Sequence, residues 1–124
     1  MNEKKLLGRW GEEIAASLYK KKGYKIIAMG YTTRFGEVDV IAENRDTVVF
    51  CEVKLRKNEE HGAAREFVGA EKRRRVMSAA SLWLQDSGCE KQPRFDVMEI
   101  YAPEGVNTKK PETHLLEEAF WEGM

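Results

Sequence analysis

Two short β-prone segments carry charged residues at alternate positions, and carboxylates and ammonium groups are the types that bind divalent cations and phosphates. Glu37 and Asp39 lie two positions apart in the first segment. Glu52 and Lys54 lie two positions apart in the second. Because residues i and i+2 of a strand share a face, each pair points to one side of its strand. Turn-forming residues at 44–47 separate the segments, so the sequence predicts a β-hairpin that carries both pairs.

The register of this hairpin decides whether the two charged pairs meet. A two- or four-residue turn places Asp39 opposite Glu52. In the same register, Glu37 lies opposite Lys54. A three-residue loop would put the pairs on opposite faces, with valines beside the acids. The hydrophobic pattern favours the first register, in which the intervening side chains point together into a core; these are Val38, Val40, Cys51 and Val53.

Carboxylates that face each other across two strands destabilise a sheet unless something neutralises them. A divalent cation is one neutraliser, because Mg²⁺ prefers oxygen ligands and commonly takes one or two protein carboxylates together with phosphate and water. The alternative is a salt-bridged hairpin face on which Lys54 and neighbouring basic side chains supply the positive charge. The pair E-x-K is common by itself, whereas G-E-x-D, a turn and F-x-E-x-K in succession form a more specific pattern.

This pattern resembles the signature of PD-(D/E)XK nucleases. More narrowly, it resembles the YraN-like family of predicted endonucleases, which are distant relatives of archaeal Holliday-junction resolvases. The sequence departs from the family at Cys51, where valine is usual, and at Gly30, where asparagine is common, and neither departure removes a ligand. The resemblance covers most of the chain, and the motifs that carry it are Gly8–Glu12 with Ala15 and Ala16, Gly36–Asp39, Phe50–Lys54, Lys72, Arg94–Val97 and Ala119–Phe120.

The resemblance implies metal ligands at Asp39 and Glu52 and a catalytic lysine at Lys54. It makes Glu12 an auxiliary acid and Glu37 a supporting one. The implied cofactor is Mg²⁺ or Mn²⁺, and the implied reaction is endonucleolytic hydrolysis of DNA phosphodiester bonds. The resolvase relationship suggests branched DNA or recombination intermediates as substrates. Since a lysine beside carboxylates stays protonated, we expect Lys54 to act electrostatically rather than as a base.

A different class of function also fits the sequence, namely a noncatalytic module that binds nucleic acid or another protein on the same fold. The presence of every expected ligand disfavours this alternative. Other chemistries lack a motif, since the sequence contains no H-E-x-x-H, no G-x-S-x-G, no P-loop and no dinucleotide-binding fingerprint. The sequence therefore favours a nuclease and leaves the binding module as its rival.

Basic residues of a second predicted helix are candidates for contact with nucleic acid. In a helical projection, Lys72 falls at the centre of the apolar stripe, where a buried ammonium needs a partner. It either reaches a phosphate or an active-site carboxylate, or extends along the helix into solvent. Arg73 and Arg74 face outward, where they either contact the nucleic-acid backbone or form part of a solvated face.

Hydrophobic periodicity predicts one α/β domain over residues 1–124, and the resemblance implies a restriction-endonuclease-like mixed β-sheet flanked by helices. The tail at 113–120 fits either a capped helix or an edge strand. The other predicted elements are a helix over 3–22, a strand over 24–29, the hairpin strands 36–42 and 47–54, a loop over 57–64, a helix over 67–87 and a strand over 94–101.

The chain has 124 residues with 21 basic and 21 acidic side chains, so its net charge is zero. The zero net charge argues against nonspecific coating of nucleic acid, but two basic segments that flank an acidic one allow a local basic footprint for DNA.

No apolar run approaches the roughly 18 residues of a membrane span, and no signal peptide is visible. Two cysteines without a CxxC pair indicate free thiols, so we expect a cytoplasmic protein without membrane association. The sequence leaves open whether the chain forms a homodimer.

Overall fold

The computed structural model describes residues 3–57 and 69–121. The helices and strands in chain order are α1 (Glu3–Lys21), β1 (Lys25–Thr33), β2 (Gly36–Glu43), β3 (Thr47–Arg56), α2 (Ala70–Ser87), β4 (Gln92–Tyr101) and β5 (Glu112–Phe120), with a 3₁₀ turn at Gly105–Asn107. Most of the predicted loop 57–64 and the predicted helix start at 67 lie outside the described residues. Within the described ranges, no helix is long and apolar enough to cross a membrane.

The five strands of the described chain form one mixed sheet in the order β1–β2–β3–β4–β5, so β3 is the central strand. Neighbouring strands are antiparallel except β3 and β4, which are parallel. Parallel neighbours need a crossover connection, and α2 lies in the segment that joins these two strands. The predicted α/β class, with a mixed sheet flanked by helices, is thereby confirmed.

The two helices cover opposite faces of the sheet. The cluster on the α1 face consists of Ala15, Tyr19, Val40, Ala42, Val49, Cys51, Met98 and Ile100. The cluster on the α2 face consists of Val38, Ile41, Val48, Phe50, Val76, Ala79, Ala80, Val97 and Phe120. Because strand residues alternate between faces, the inner strands need apolar side chains on both sides, which explains their nearly continuous apolar runs.

The tail forms the edge strand β5, so of the two alternatives for residues 113–120 the strand is correct. Leu115 packs against the α1 cluster and its neighbour Leu116 against the α2 cluster. Consecutive residues on opposite faces have the period of a strand, and an edge strand can use both. Phe120 closes the α2 cluster by stacking on Phe95, with ring centroids 5.2 Å apart.

Strand β1 extends to Thr33, beyond the predicted 24–29. The chain passes through Gly30 with a φ of +63°, a conformation that glycine adopts without strain. Beyond this glycine, Tyr31 is followed by the polar residues 32–34, so the alternation that marks a strand is weak there. Pairing with β2, as of Tyr31 with Val38, stabilises the extension.

The β2–β3 hairpin has the predicted register, in which Val40 pairs with Cys51. The side chain of Asn44 fixes the turn, because its Oδ1 accepts hydrogen bonds from the backbone N–H groups of Asp46 at 3.0 Å and Thr47 at 2.8 Å. Such a side-chain-to-backbone turn is typical of asparagine. The turn length, and with it the register, is therefore set locally.

The sequence predicted that four apolar side chains of this hairpin point to the same core, and this prediction is wrong for one of them. Val40, Cys51 and Val53 pack on the α1 face, whereas Val38 lies in the α2 cluster. Residues 38 and 40 of a regular strand would share a face, so the alternation of β2 is interrupted at Asp39. The described β2–β3 ladder also ends at the Val40–Cys51 pair. Asp39 thus lies where β2 stops pairing with β3.

A close approach between α2 and the start of β2 requires glycine at position 36. A Cβ atom on Gly36 would overlap the backbone carbonyl of Arg75 in α2. Because the neighbour is backbone, rotation of a side chain cannot relieve the overlap. The contact therefore fixes how closely α2 lies over the sheet, one helical turn from Lys72.

We expect Gly36→Ala to lower the free energy of unfolding by about 1–3 kcal/mol, because backbone must shift to admit the methyl group. Gly8→Ala is the control: a Cβ there meets nothing within 4 Å, and alanine stabilises a helix by about 1 kcal/mol relative to glycine. Urea unfolding followed by circular dichroism measures both variants. A Gly36→Ala protein as stable as the wild type would contradict the close approach.

Candidate active site

The predicted site begins where β2 and β3 separate. Asp39 Oδ2 accepts a hydrogen bond of 2.8 Å from the backbone N–H of Val53. This carboxylate therefore satisfies a donor of β3 beyond the last described backbone pair of the two strands. The bond holds Asp39 beside Glu52, and the two carboxyl groups lie close enough for the charge of Asp39 to act on Glu52.

Glu52 is nearly buried, with 7% of its surface exposed. Its Oε2 atom has no hydrogen-bond partner among the described residues. Burial, followed by the charge of Asp39, raises the pKa of Glu52 to about 8. Burial also raises the pKa of Asp39, against the lowering effect of the Val53 N–H. Both carboxyl groups thus have pKa values above their ordinary ones, and binding of a proton at the pair relieves the repulsion between them.

Lys72 supplies the cation that faces these acids. Its Nζ lies 3.4 Å from Glu52 Oε1 and 3.6 Å from Glu37 Oε1. Burial lowers the pKa of Lys72, but the charges of Glu52, Asp39 and Glu37 outweigh burial and raise the pKa overall. Lys72 is therefore a protonated ammonium held among carboxylates. Of the two placements considered from the sequence, it takes the one at the predicted site and not the one in solvent.

Glu12 approaches the same group from α1. A Cβ atom on Gly30 would lie 3.5 Å from Glu12 Oε1, so the carboxyl group rests over β1 at a position without a side chain. Burial raises the pKa of Glu12 to about 7, with further contributions from the charges of Asp39 and Glu37. The auxiliary acid predicted at position 12 thus lies within electrostatic reach of the other carboxylates. A pKa near 7 is suited to proton transfer at neutral pH.

Lys54 lies beside this group and outside its ion pairs. Its side chain is half-buried, and its backbone pairs with Glu99 of β4. Over residues 3–57 and 69–121 it forms no ion pair, and Glu37 is paired with Lys72 instead of the expected Lys54. Because residues 52 and 54 of β3 share a face, Lys54 still extends from the side of the sheet that carries Glu52.

The two arginines predicted to contact nucleic acid follow Lys72 in α2. Arg74 is exposed, as expected, and so is the next residue, Arg75. Arg73 is half-buried, so its side chain is partly covered. Residues two positions apart on a helix point to different sides, so Arg74 projects away from Lys72, whereas Arg75, three positions along, lies on the same side of α2.

A second charged group on the same face of β3 was missed at the sequence level. Arg56 Nε lies 3.5 Å from Glu99 Oε2. Tyr101 Oη donates a hydrogen bond of 2.7 Å to Glu99 Oε1, and Glu99 is only 5% exposed. The signal was present in the sequence, because Arg56 continues the alternation of charged residues begun by Glu52 and Lys54.

The buried carboxylate of Asp96 connects three elements away from these groups. It accepts hydrogen bonds from Tyr19 Oη at 2.6 Å, from Arg94 Nε and Nη2 at 2.8 Å each, and from the backbone N–H of Glu118 at 3.0 Å. These bonds join α1 and β5 to β4. With its oxygens satisfied, Asp96 is an anchor of the fold, a role that its motif did not reveal.

The raised carboxyl pKa values predict how the stability of the metal-free protein changes with pH. Glu52 keeps its proton up to about pH 8 in the folded chain, against an ordinary value of 4.5. Between these values the folded chain holds the extra proton, so the free energy of unfolding falls as pH rises through this window. The slope approaches about 1.4 kcal/mol per pH unit for each extra proton held.

Urea unfolding in EDTA at about pH 5, 6.5 and 8 spans this window. We expect the free energy of unfolding of Glu52→Gln to fall less between these pH values than that of the wild type, because the variant lacks the titrating group. Glu3→Gln is the control, since Glu3 is an exposed carboxylate of α1, and it should follow the wild type. Parallel pH profiles for the wild type and Glu52→Gln would contradict a raised pKa at Glu52.

Comparison with known proteins identifies a family without assigning an activity. The model of an uncharacterised protein family, UPF0102, matches residues 11–100. A UPF0102 protein of Caldanaerobacter subterraneus is 37% identical over 115 residues, which are 91% of this chain and 93% of the relative. UPF0102 proteins of Syntrophotalea carbinolica and Symbiobacterium thermophilum are 41% and 43% identical over 95 residues, 76% of this chain and 77% and 80% of theirs. The chain belongs to the UPF0102 family.

Proposed function

We propose that this protein is a metal-dependent endonuclease that hydrolyses DNA phosphodiester bonds. The observation that carries the proposal is the pair of adjacent carboxyl groups at Asp39 and Glu52, with a buried Glu52 oxygen that has no partner among the described residues. The resemblance to PD-(D/E)XK nucleases supports the same assignment, because it independently selects these two residues as ligands.

Asp39 and Glu52 would hold Mg²⁺ or Mn²⁺. Their oxygens are the donor type that these ions prefer, and the buried Glu52 Oε2 has no hydrogen-bond partner among the described residues. The described residues contain no group of three or more acidic, histidine or cysteine side chains that could enclose a metal. Mg²⁺ is commonly bound by two carboxylates, and water and phosphate complete its coordination.

The bound metal would supply Lewis-acid polarisation of the phosphate and a lowered pKa of a water molecule. Lys72 keeps Glu52 and Glu37 in place through its two ion pairs. Lys54, on the same face as Glu52, provides positive charge toward a phosphate and so stabilises the charge that develops during hydrolysis. Glu12, with a pKa of about 7, can accept or release a proton at neutral pH.

DNA fits this site as substrate because exposed arginines lie on the same helix as Lys72. Arg75, which is exposed and lies one helical turn from Lys72, can contact backbone phosphates, which position nucleic acid without reading its sequence. Branched DNA or recombination intermediates are the substrates that the resolvase relationship favours. The rival is a noncatalytic module on the same fold, which the experiments below separate from an enzyme.

Asp39→Asn tests the metal site through thermal stability. The variant removes one of two adjacent acids and keeps an oxygen that can accept the Val53 N–H, so without metal we expect it to be equally or more stable than the wild type. Metal should raise the melting temperature of the wild type alone. At about 10 mM Mg²⁺ and a Kd near 1 mM, binding adds about 1.4 kcal/mol, or roughly 5 °C.

Differential scanning fluorimetry with EDTA and with Mg²⁺ or Mn²⁺ makes this measurement. Glu43→Gln is the matched control, because Glu43 is a carboxylate at the other end of the hairpin, 3.0 Å from Lys91. It should keep the metal response. The metal site is refuted if the wild type does not respond to either ion, or if Asp39→Asn responds as strongly as the wild type.

Lys54→Ala tests catalysis separately from metal binding. We expect cleavage to fall by about 10²–10³-fold, the usual effect of removing a group that stabilises transition-state charge, while the metal-dependent rise in melting temperature persists. Gel assays on continuous duplex, flap, four-way and single-stranded DNA with each metal measure the activity. Lys110→Ala, at an exposed position in the connection to β5, is the control. A folded wild type that binds metal but cleaves none of these DNAs would support the noncatalytic module.

A further inference from the structure

An exposed aromatic side chain stands at the tip of the β1–β2 hairpin. Phe35 is 57% exposed, one of the largest values for an apolar side chain in the described residues. Arg34 beside it is also exposed, and its Cζ lies 5.3 Å from the centroid of the Phe35 ring. The tip therefore presents a flat apolar surface next to a cation. This combination is suited to a nucleotide, which offers an aromatic face and a phosphate.

The hairpin tip is held in place from both sides. Thr33 Oγ1 donates a hydrogen bond to the carbonyl of Gly36 at 3.0 Å and accepts bonds from the N–H groups of Phe35 and Gly36 at 3.1 Å each. Gly36 in turn lies directly against the backbone of Arg75 in α2. These contacts fix the backbone of the tip, so little backbone freedom is lost when the ring binds a ligand.

The tip also lies close to the proposed active site. Phe35 precedes Glu37 by two residues and Asp39 by four, which in a strand correspond to about 7 Å and 13 Å. Successive nucleotides of one DNA strand are about 3.4 Å apart along the helix axis. The ring is therefore about two to four nucleotide steps from the carboxylates, and the exposed Arg75 adjoins the same tip.

We infer that the Arg34–Phe35 tip stacks on a base exposed at a strand discontinuity of DNA, such as the end of a flap or the branch of a junction. This inference rests on the proposed nuclease function. Inside a continuous duplex both faces of every base are already stacked, and opening a step costs a few kcal/mol. At a discontinuity one face is free, so the ring stacks there without that cost. The tip thereby selects discontinuous DNA and sets the distance to the cleaved phosphate.

The test compares binding to a flap duplex and to a continuous duplex of the same length in EDTA, where no cleavage occurs. The wild type should prefer the flap. Phe35→Ala should reduce that preference by about 5- to 150-fold, the range expected for loss of one base–aromatic stack. Phe35→Trp should retain it. Trp121→Ala is the matched control, because Trp121 is 56% exposed but follows β5 at the opposite edge of the sheet.

The readouts are fluorescence anisotropy of labelled DNA and quenching of 2-aminopurine at the flap base. Quenching that requires Phe35 supports stacking. An undiminished flap preference in Phe35→Ala, or an equal loss in Trp121→Ala, overturns it. Weaker self-association of Phe35→Ala in sedimentation, with DNA binding unchanged, also overturns it and assigns the ring to a protein contact. If the protein cleaves DNA but neither binding nor quenching depends on Phe35, the stacking inference is refuted and the nuclease proposal stands. If stacking is intact but no DNA is cleaved, the nuclease proposal is refuted and the stacking inference stands.

Discussion

The proximity of two acids with little access to water, Asp39 and Glu52, is the constraint on which the site depends. Adjacent negative charges are unfavourable wherever solvent is limited, and each added neutralising contact makes the arrangement less costly. The folded chain supplies two such contacts, the ammonium of Lys72 and the backbone N–H of Val53. They come from different parts of the chain, so the carboxyl pair exists only when the tertiary structure is complete.

The fold meets this constraint through departures from regular geometry. Strand β2 interrupts its alternation at Asp39 and turns this side chain toward β3, where it takes over a backbone partner. The missing side chain at Gly36 lets α2 come close enough to bring Lys72 over the acids. Asp96, in contrast, is stabilised by a complete set of donors. One buried carboxylate is thus used to hold elements together, whereas Glu52 keeps an oxygen without a partner among the described residues.

The sequence predicts those parts of the structure that depend on local chemistry. The hairpin register follows from Asn44 in the turn and from the apolar alternation, and the acids at 37, 39 and 52 follow from the same pattern. Contacts made by the crossing of α2 over the sheet were not predictable in this way. The pairing of Glu37 with Lys72, and the turning of Val38 toward α2, depend on the angle and distance of two remote elements. The extension of β1 depends likewise on its partner strand.

The turn at Asn44 has a consequence for how this chain tolerates changes in length. Residues of the central strand alternate between the α1 face and the α2 face of the sheet, so Cys51 packs in the α1 cluster while Glu52 faces Lys72 of α2. An insertion or deletion of one residue in the turn would exchange these two sets, because the side-chain period of a strand is two residues. Apolar side chains would then face Lys72, and the carboxylate of Glu52 would enter the apolar α1 cluster. The connection at 103–111 can accept an insertion of any length at the surface. In the turn at 44–46, only an insertion or deletion of an even number of residues keeps each side chain on its face.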